Sequence, residues 1–316
     1  MIDVIVVSRT QEALDICSFE LASADGASLP YFSAGAHIDV HLSDGIVRQY
    51  SLCNHPEEIH RYLIGVLKDP ASRGGSKALH EQIQVGHRLT ISEPKNLFPL
   101  EPAAHRSLLF AGGIGITPIL CMAERLSHTG MDFELHYCAR SSERAAFTQR
   151  IKASPFADRV FFHFDEEPET TLKTANVLAD PQPGTHLYVC GPGGFMQHVL
   201  DTGKAQGWAD DHLHREYFSA APVDTSNDGS FTVRIGSTGE SYEVPADQTV
   251  LQVLERHGIE IPVSCEQGVC GTCLTRVLEG TPDHRDMFLT KDEQAANDQF
   301  TPCCSRSKSP TLVLDI

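Results

Sequence analysis

The chain has 316 residues, 41% of them hydrophobic and 21% charged, which suits a globular protein of two or three domains with sizeable cores. A net charge of −17, from 25 basic and 42 acidic residues, argues against nucleic acid as a partner and for a solvated or steering acidic surface. No apolar run reaches the roughly 18 residues of a membrane helix, and "MIDVIVVSRT" reads as a first strand rather than a signal peptide. The expected location is therefore the cytoplasm, where structural disulfides are rare, so ten cysteines call for another explanation.

The first hundred residues carry strand patterns. "AHIDVHLSDGIVRQYSL" alternates in polarity on both sides of Asp44-Gly45, which predicts a hairpin. Helical pattern is confined to "SKALHEQI", so residues 1–101 are expected to form an antiparallel β-barrel. Two stretches of the barrel suit a flavin. In "RQYSLCN", Arg48 can hold a phosphate, Tyr50 can flank the ring or ribityl chain, and the Ser51 hydroxyl can reach the reactive ring nitrogen. In "SRGGSKALHE", Gly74, Gly75 and Ser76 run into a predicted helix start, where backbone amides bind phosphate. Either stretch alone is equally an ordinary strand face or a capped turn.

From about residue 105 the pattern becomes alternating strand and helix, which implies a doubly wound parallel α/β sheet over 102–220. "RSLLFAGG" is a buried strand, and "TPILCMAERLSHTG" a helix with Pro118 in its first turn and Gly130 after its end. "AGGIGITPIL" is close to a dinucleotide-binding turn through Gly112, Gly113 and Gly115, but Pro118 stands where a third glycine would be. "CGPGG" ends a later strand, and Cys190, Gly191 and Pro192 are placed at the carboxyl edge where ligands bind. Cys190 is expected beside the nicotinamide as a polarizable contact, and Ser51 and Cys190 are the candidate catalytic pair.

"SAAPVDTSNDGS" is polar and turn-rich, and residues 221–229 read as a linker. Residues 230–316 then form a small α+β domain: a hairpin in "FTVRIGSTGESYEVPA", an amphipathic helix in "TVLQVLERHG", a cysteine loop and a closing strand "TLVLDI". Cys265, Cys270 and Cys273 give C-x4-C-x2-C with a Cys-Cys pair at 303 and 304. That is the plant-type [2Fe–2S] spacing, one tight loop supplying three of four thiolates. A zinc ribbon would use two C-x2-C units, and only one is present. Cys17, Cys53, Cys121 and Cys138 read as core residues.

Taken in order, "RQYSLCN", "GGS", "AGGIGITP", "CGPGG", "CEQGVCGTC", "DHRDMFL" and "CCSR" resemble the phthalate dioxygenase reductase family, with vanillate O-demethylase reductase subunits among its members. The resemblance covers the whole chain. It implies a flavin barrel, a nucleotide domain and a plant-type ferredoxin (β-grasp) domain. It implies bound FMN, held by Arg48, Tyr50, Ser51, Gly75 and Ser76, with Thr117 near the flavin and Phe218 of "REYFSA" against it. Leu67 stands in the Val66-Leu67-Lys68 stretch where members often carry Val-Lys, which shifts or removes a lysine contact. Cys303 becomes the fourth cluster ligand, because "CCSR" resembles the family's ending.

The family also implies NADH as donor, although Ser141, Ser142 and Arg144 of "CARSSER" replace the acid that often discriminates against NADPH. It implies a separate Rieske-type oxygenase with non-haem iron as acceptor, acting in aromatic O-demethylation or ring hydroxylation. Electrons are expected to pass from NADH to FMN to [2Fe–2S] to that partner. The alternative is a free-standing NAD(P)H diaphorase that reduces a soluble carrier. A monomer is expected, and Glu266, Asp292 and Glu293 are possible docking acids.

Overall fold

In the computed structural model, which describes residues 1–220 and 225–316, the chain divides into two compact units, Met1–Glu216 and Tyr217–Ile316. The first four positions of the expected linker lie outside the described residues. No helix of the described residues is long and apolar enough to cross a membrane.

The first unit opens with strands β1 (Ile2–Ala13), β2 (Ile16–Ser23), β3 (Ala36–His41), β4 (Val47–Ser51) and β5 (Tyr62–Leu67). Helix α1 (Gly75–Gln82) follows, then β6 (Arg88–Ile91) and the short β7 (Lys95–Asn96). They form one antiparallel sheet in the order β4-β3-β6-β1-β2-β5, with β7 on β3. A bridge between Leu52 and Ile64 joins the two ends, so the sheet closes into a barrel. The period of two explains the interior. Ile38 and Val40 of β3, Phe19 and Leu21 of β2, and Ile64 and Val66 of β5 all point inward and are buried. The expected hairpin pairs His41 with Val47 and turns at Gly45, whose φ of +72° few other residues tolerate.

The same unit continues with β8 (Arg106–Gly112), α2 (Ile116–His128), β9 (Asp132–Ala139), α3 (Thr148–Lys152), β10 (Val160–Phe164), α4 (Thr174–Val177), β11 (Thr185–Cys190), α5 (Gly193–Ala205) and β12 (Leu213–Glu216). The five strands are parallel, in the order β10-β9-β8-β11-β12. The order reverses after β10, and the switch point falls between β8 and β11. Ile116, Ile119, Leu120, Ala123 and Leu126 of α2 recur at helical spacing and are buried. Each fully buried Leu or Ile of this face contributes about 1.5–3 kcal/mol. The apolar cluster they join also takes in Cys53 and Leu63 of the barrel, so barrel and parallel sheet share one core.

The second unit contains β13 (Phe231–Ile235), β14 (Ser241–Val244), α6 (Val250–Arg256), β15 (Thr275–Glu279), β16 (Pro282–Asp283), α7 (Lys291–Ala296), β17 (Gln299–Phe300), β18 (Arg306–Ser307) and β19 (Thr311–Leu314). Its main sheet runs β14-β13-β19-β15-β17, with β13 and β19 parallel and the β13–β14 and β15–β19 pairs antiparallel. Helix α6 begins with a capping box, Thr249 and Gln252 each satisfying the other's backbone N–H, and buries Val250, Leu251, Val253 and Leu254.

Candidate functional site

In the first unit three groups of predicted residues come together around the barrel and the switch point. At the barrel's outer turn, Arg48 on β4 lies across the start of α1. Its guanidinium donates to the carbonyls of Arg73 (2.9 Å) and Val47 (2.7 Å). A Cβ on Gly75 would run into the Arg48 stem, so only glycine permits this approach. Gly74, φ +93°, leads into helix α1, which has no side-chain cap, and Ser76 donates to Ser72 Oγ at 2.9 Å. A guanidinium beside an uncapped helix start, with hydroxyls at hand, is a cradle that fits a flavin phosphate.

The second group is at the ends of the strands. Ser51 Oγ donates to Glu216 Oε2 at 3.1 Å. Glu216 ends β12 and pairs with Cys190, which ends β11. Burial pushes the Glu216 carboxyl up to about 8, against a smaller opposing effect of the Ser51 hydrogen bond. Burial, then the charge of Glu216, raises the Cys190 thiol well above its usual range. Cys190 is thus held as a neutral thiol, which suits a contact and not a nucleophile. Burial likewise raises the Tyr50 phenol. Thr117, in the first turn of α2, packs against the barrel: a Cβ on Gly65 would lie 2.7 Å from its Cγ2. Leu67, two residues further along β5, is half-buried.

The third group is the pair of glycine turns. Gly115 passes against the Cys190 carbonyl, and a Cβ on Gly191 would fall 2.8 Å from Gly112 Cα. A Cβ on Gly112 would meet Pro192 at 2.9 Å and Phe195 at 2.8 Å. The two turns therefore sit backbone to backbone at one sheet edge, and Gly113 (φ +53°) completes the first. Pro118 lies inside the opening turn of α2, where its missing N–H costs nothing. Arg144 lies 3.7 Å from Asp15 of the barrel, so its charge already faces a carboxylate.

In the second unit Cys265, Cys270, Cys273 and Cys303 are all buried. Cys265 and Cys270 lie close enough to interact, and Cys303 interacts with both Cys273 and Cys304. The Cys270 thiol is drawn down by Cys265 first and by Thr272. Among the described residues no three metal-ligating side chains converge on one ion position. A plant-type [2Fe–2S] cluster takes four thiolates, three from one tight loop and one from a distant segment, which this set can supply. The Gln267 N–H donates to Cys265 Sγ at 3.4 Å, the kind of amide–sulfur contact expected around a cluster. Gly268 and Gly271 have φ of +69° and +70°, and side chains there would meet Cys304 and the Phe288 ring. The residues present fit a [2Fe–2S] cluster.

Cys304 faces Thr301 (3.2 Å) and is half-exposed. Cys17, Cys53 and Cys121 are buried, as expected of core thiols, while Cys138 is only half-buried. Phe218 is 41% exposed and belongs to the second unit. Of the docking acids, Glu293 caps α7 through Thr290, and Glu266 and Asp292 are exposed. Sequence reasoning missed Glu216. Its only local sign is its position two residues before the Phe218 aromatic.

Residues 233–308 match the 2Fe-2S iron-sulfur cluster binding domain family, and residues 92–213 the N-terminal domain of dimethylamine monooxygenase subunit DmmA-like proteins. Barrel, parallel sheet and [2Fe–2S] domain in this order define a modular flavin and iron–sulfur oxidoreductase. Vanillate O-demethylase oxidoreductase of Pseudomonas putida is 73% identical over the full length of both chains. The phthalate 4,5-dioxygenase oxygenase reductase subunit of Pseudomonas putida is 41% identical over 98% of this chain and 95% of its own. The crystal structure of phthalate dioxygenase reductase superposes with a TM-score of 0.80 at 39% identity, covering 99% of this chain and 97% of that one. An intact self-sufficient cytochrome P450 monooxygenase contains a similar region, TM-score 0.85 at 38% identity, covering all of this chain and 41% of that one. The chain belongs to the phthalate dioxygenase reductase family. It is an oxidoreductase with a [2Fe–2S] domain, and its relatives serve as reductase components of oxygenases.

Proposed function

We propose that this chain is the reductase of a Rieske-type non-haem iron oxygenase that demethylates vanillate or a related aromatic methyl ether. The convergence of Ser51, Cys190 and Glu216 on the edge shared by two glycine turns carries the reading, since it offers one place for nicotinamide and flavin to meet. Bound flavin supplies the change from a two-electron hydride donor to single electrons, which the cluster then carries onward. The protein supplies placement. Arg48, Gly75 and Ser76 hold the phosphate, and Tyr50, Leu67 and Thr117 line the flavin. Gly112, Gly113, Gly115, Gly191 and Pro192 admit the nucleotide, and Ser51 and Cys190 flank the reacting ring. Glu216, its carboxyl raised by burial, accepts from Ser51 Oγ and so fixes the direction of that hydroxyl. Cys265, Cys270, Cys273 and Cys303 hold the cluster.

NADH is the donor in this reading, and the pairing of Arg144 with Asp15 supports it, because that guanidinium is already balanced by a carboxylate. The functional division is 1–101, 102–220 and 230–316, in keeping with strands that end at Asn96, restart at Arg106 and restart again at Phe231. The protein works as a cytoplasmic monomer, in line with cluster thiolates that need a reducing compartment. The oxygenase reading rests on the 73% identical relative, named as an oxidoreductase of vanillate O-demethylase. The test is NADH-dependent release of formaldehyde from vanillate when purified reductase is mixed with a candidate oxygenase. A reductase that reduces soluble carriers rapidly, yet supports no oxygenase in the same genome, would be a diaphorase instead.

A further inference from the structure

The expected linker ends in a buried charge. Asp228 lies in the stretch that leads into β13, and its side chain is only 7% exposed. Arg285 grips it with both terminal nitrogens, Nη1 to Oδ2 at 2.8 Å and Nη2 to Oδ1 at 2.6 Å. Arg306 approaches the same carboxylate at 3.4 Å and donates to the carbonyls of Gly229 (2.9 Å), Pro245 (3.1 Å) and Gln248 (2.7 Å). A planar, always-charged fork on a buried carboxylate is a rigid join.

Both arginines belong to segments that touch the cysteine loop. The Arg285 N–H donates to Ser305 Oγ at 3.1 Å, and Ser305 follows Cys303 by two residues. The Asp286 carboxylate accepts from the Leu289 N–H at 2.7 Å, and its Cα lies 3.0 Å from the point a Cβ on Gly268 would occupy. The Met287 N–H donates to the Gly268 carbonyl at 2.9 Å, between Cys265 and Cys270 in sequence. Arg306 follows Ser305 directly. Arg285 also donates through Nε to Asp283 Oδ2 at 2.9 Å, within its own segment, and among the described residues Asp228 alone joins both guanidiniums, and with them the segment against Gly268 and the segment carrying Cys303.

We propose that Asp228 is a positioning residue for the [2Fe–2S] loop, joining the end of the tether to both halves of the thiol set through Arg285 and Arg306. This rests on the reading of Cys265, Cys270, Cys273 and Cys303 as cluster ligands. Outer contacts of this kind set ligand orientation and hence cluster retention and potential.

The test compares wild type with Asp228→Asn, Asp228→Glu and Arg285→Lys as full-length holoproteins. In Asp228→Asn and Arg285→Lys, cluster absorbance should be lost to a chelator about tenfold faster or more. The electron paramagnetic resonance line of the reduced cluster should broaden or move, its midpoint should shift, and amide exchange at Met287 should rise. Asp228→Glu should restore most of this. NADH reduction of the flavin, which belongs to the first unit, should stay within about twofold of wild type, as expected for sites with no shared partners. A variant that loses its cluster outright while its flavin still reduces normally also supports the proposal. Variants with wild-type line shape, midpoint and chelator lifetime would overturn it while leaving the ligand assignment intact. Wild type that binds no iron and sulfide would overturn both.

Discussion

Substituting Glu216→Gln should make the first unit more stable as the pH rises. The folded carboxyl titrates at about 8 against an ordinary value of 4.5, with burial as the main cause. Between those values the folded chain keeps a proton that the unfolded chain has lost, so stability falls as pH increases through this window and is level above it. At about 1.4 kcal/mol for each tenfold, the fully ionised form costs roughly 5 kcal/mol. Glutamine has the same shape, can still accept from Ser51 and never ionises. In the flavin-loaded protein, thermal release of flavin emission should therefore occur roughly 10–20 °C higher in the variant than in wild type at pH 9, taking about 2–4 °C per kcal/mol for a unit of this size. Near pH 5 the two curves should nearly coincide. A gap that is the same at pH 5 and pH 9 would refute the buried, proton-holding role of Glu216. Ser51→Ala serves as a companion: removing the hydrogen bond that lowers the carboxyl should widen the pH window upward.

Arg48→Ala should weaken flavin binding by about 10- to 100-fold, the usual loss for a charge-assisted phosphate contact, as measured by flavin fluorescence titration. Retention of stoichiometric flavin at nanomolar protein would count against the cradle at α1. Cys303→Ser should abolish or bleach the cluster while Cys304→Ser keeps it, since Cys303 is buried with the other three thiols and Cys304 is only partly so; iron and sulfide assays separate the two, and the reverse result would exchange their roles. Gly191→Ala should raise the KM for NADH with the flavin content unchanged, because the new Cβ would press on Gly112 and force the two nucleotide turns apart.

Much of this architecture is written in short-range pattern. The barrel interior follows from alternation, as in Ile38 and Val40, and α2 from the spacing of Ile116, Ile119, Leu120 and Ala123 between Pro118 and Gly130. Three of the proposed cluster ligands share one loop, so their spacing alone singles them out. The fourth lies thirty positions on, and only likeness to known endings distinguished Cys303 from Cys304. Glu216 was illegible because its role depends on β12 lying beside β11 while Ser51 arrives from the barrel. No local window holds that information. The tether shows a different limit. "TSNDGS" has the composition of a mobile linker, yet Asp228 and Gly229 are tied to Arg285 and Arg306. Polar turn residues serve free chain and buried anchor alike, and the partner that decides between them lies far along the sequence.

The central claim is an electron path through flavin and a two-iron cluster in one chain. It is tested most directly by the visible spectrum of the purified protein under nitrogen, before and after NADH, with flavin, iron and sulfide assayed on the same sample. The account predicts one flavin, about two irons and two sulfides per chain, as for a plant-type cluster, with NADH bleaching both flavin and cluster bands. Flavin that bleaches while the cluster bands stay oxidised, or a colourless protein carrying zinc, would contradict it.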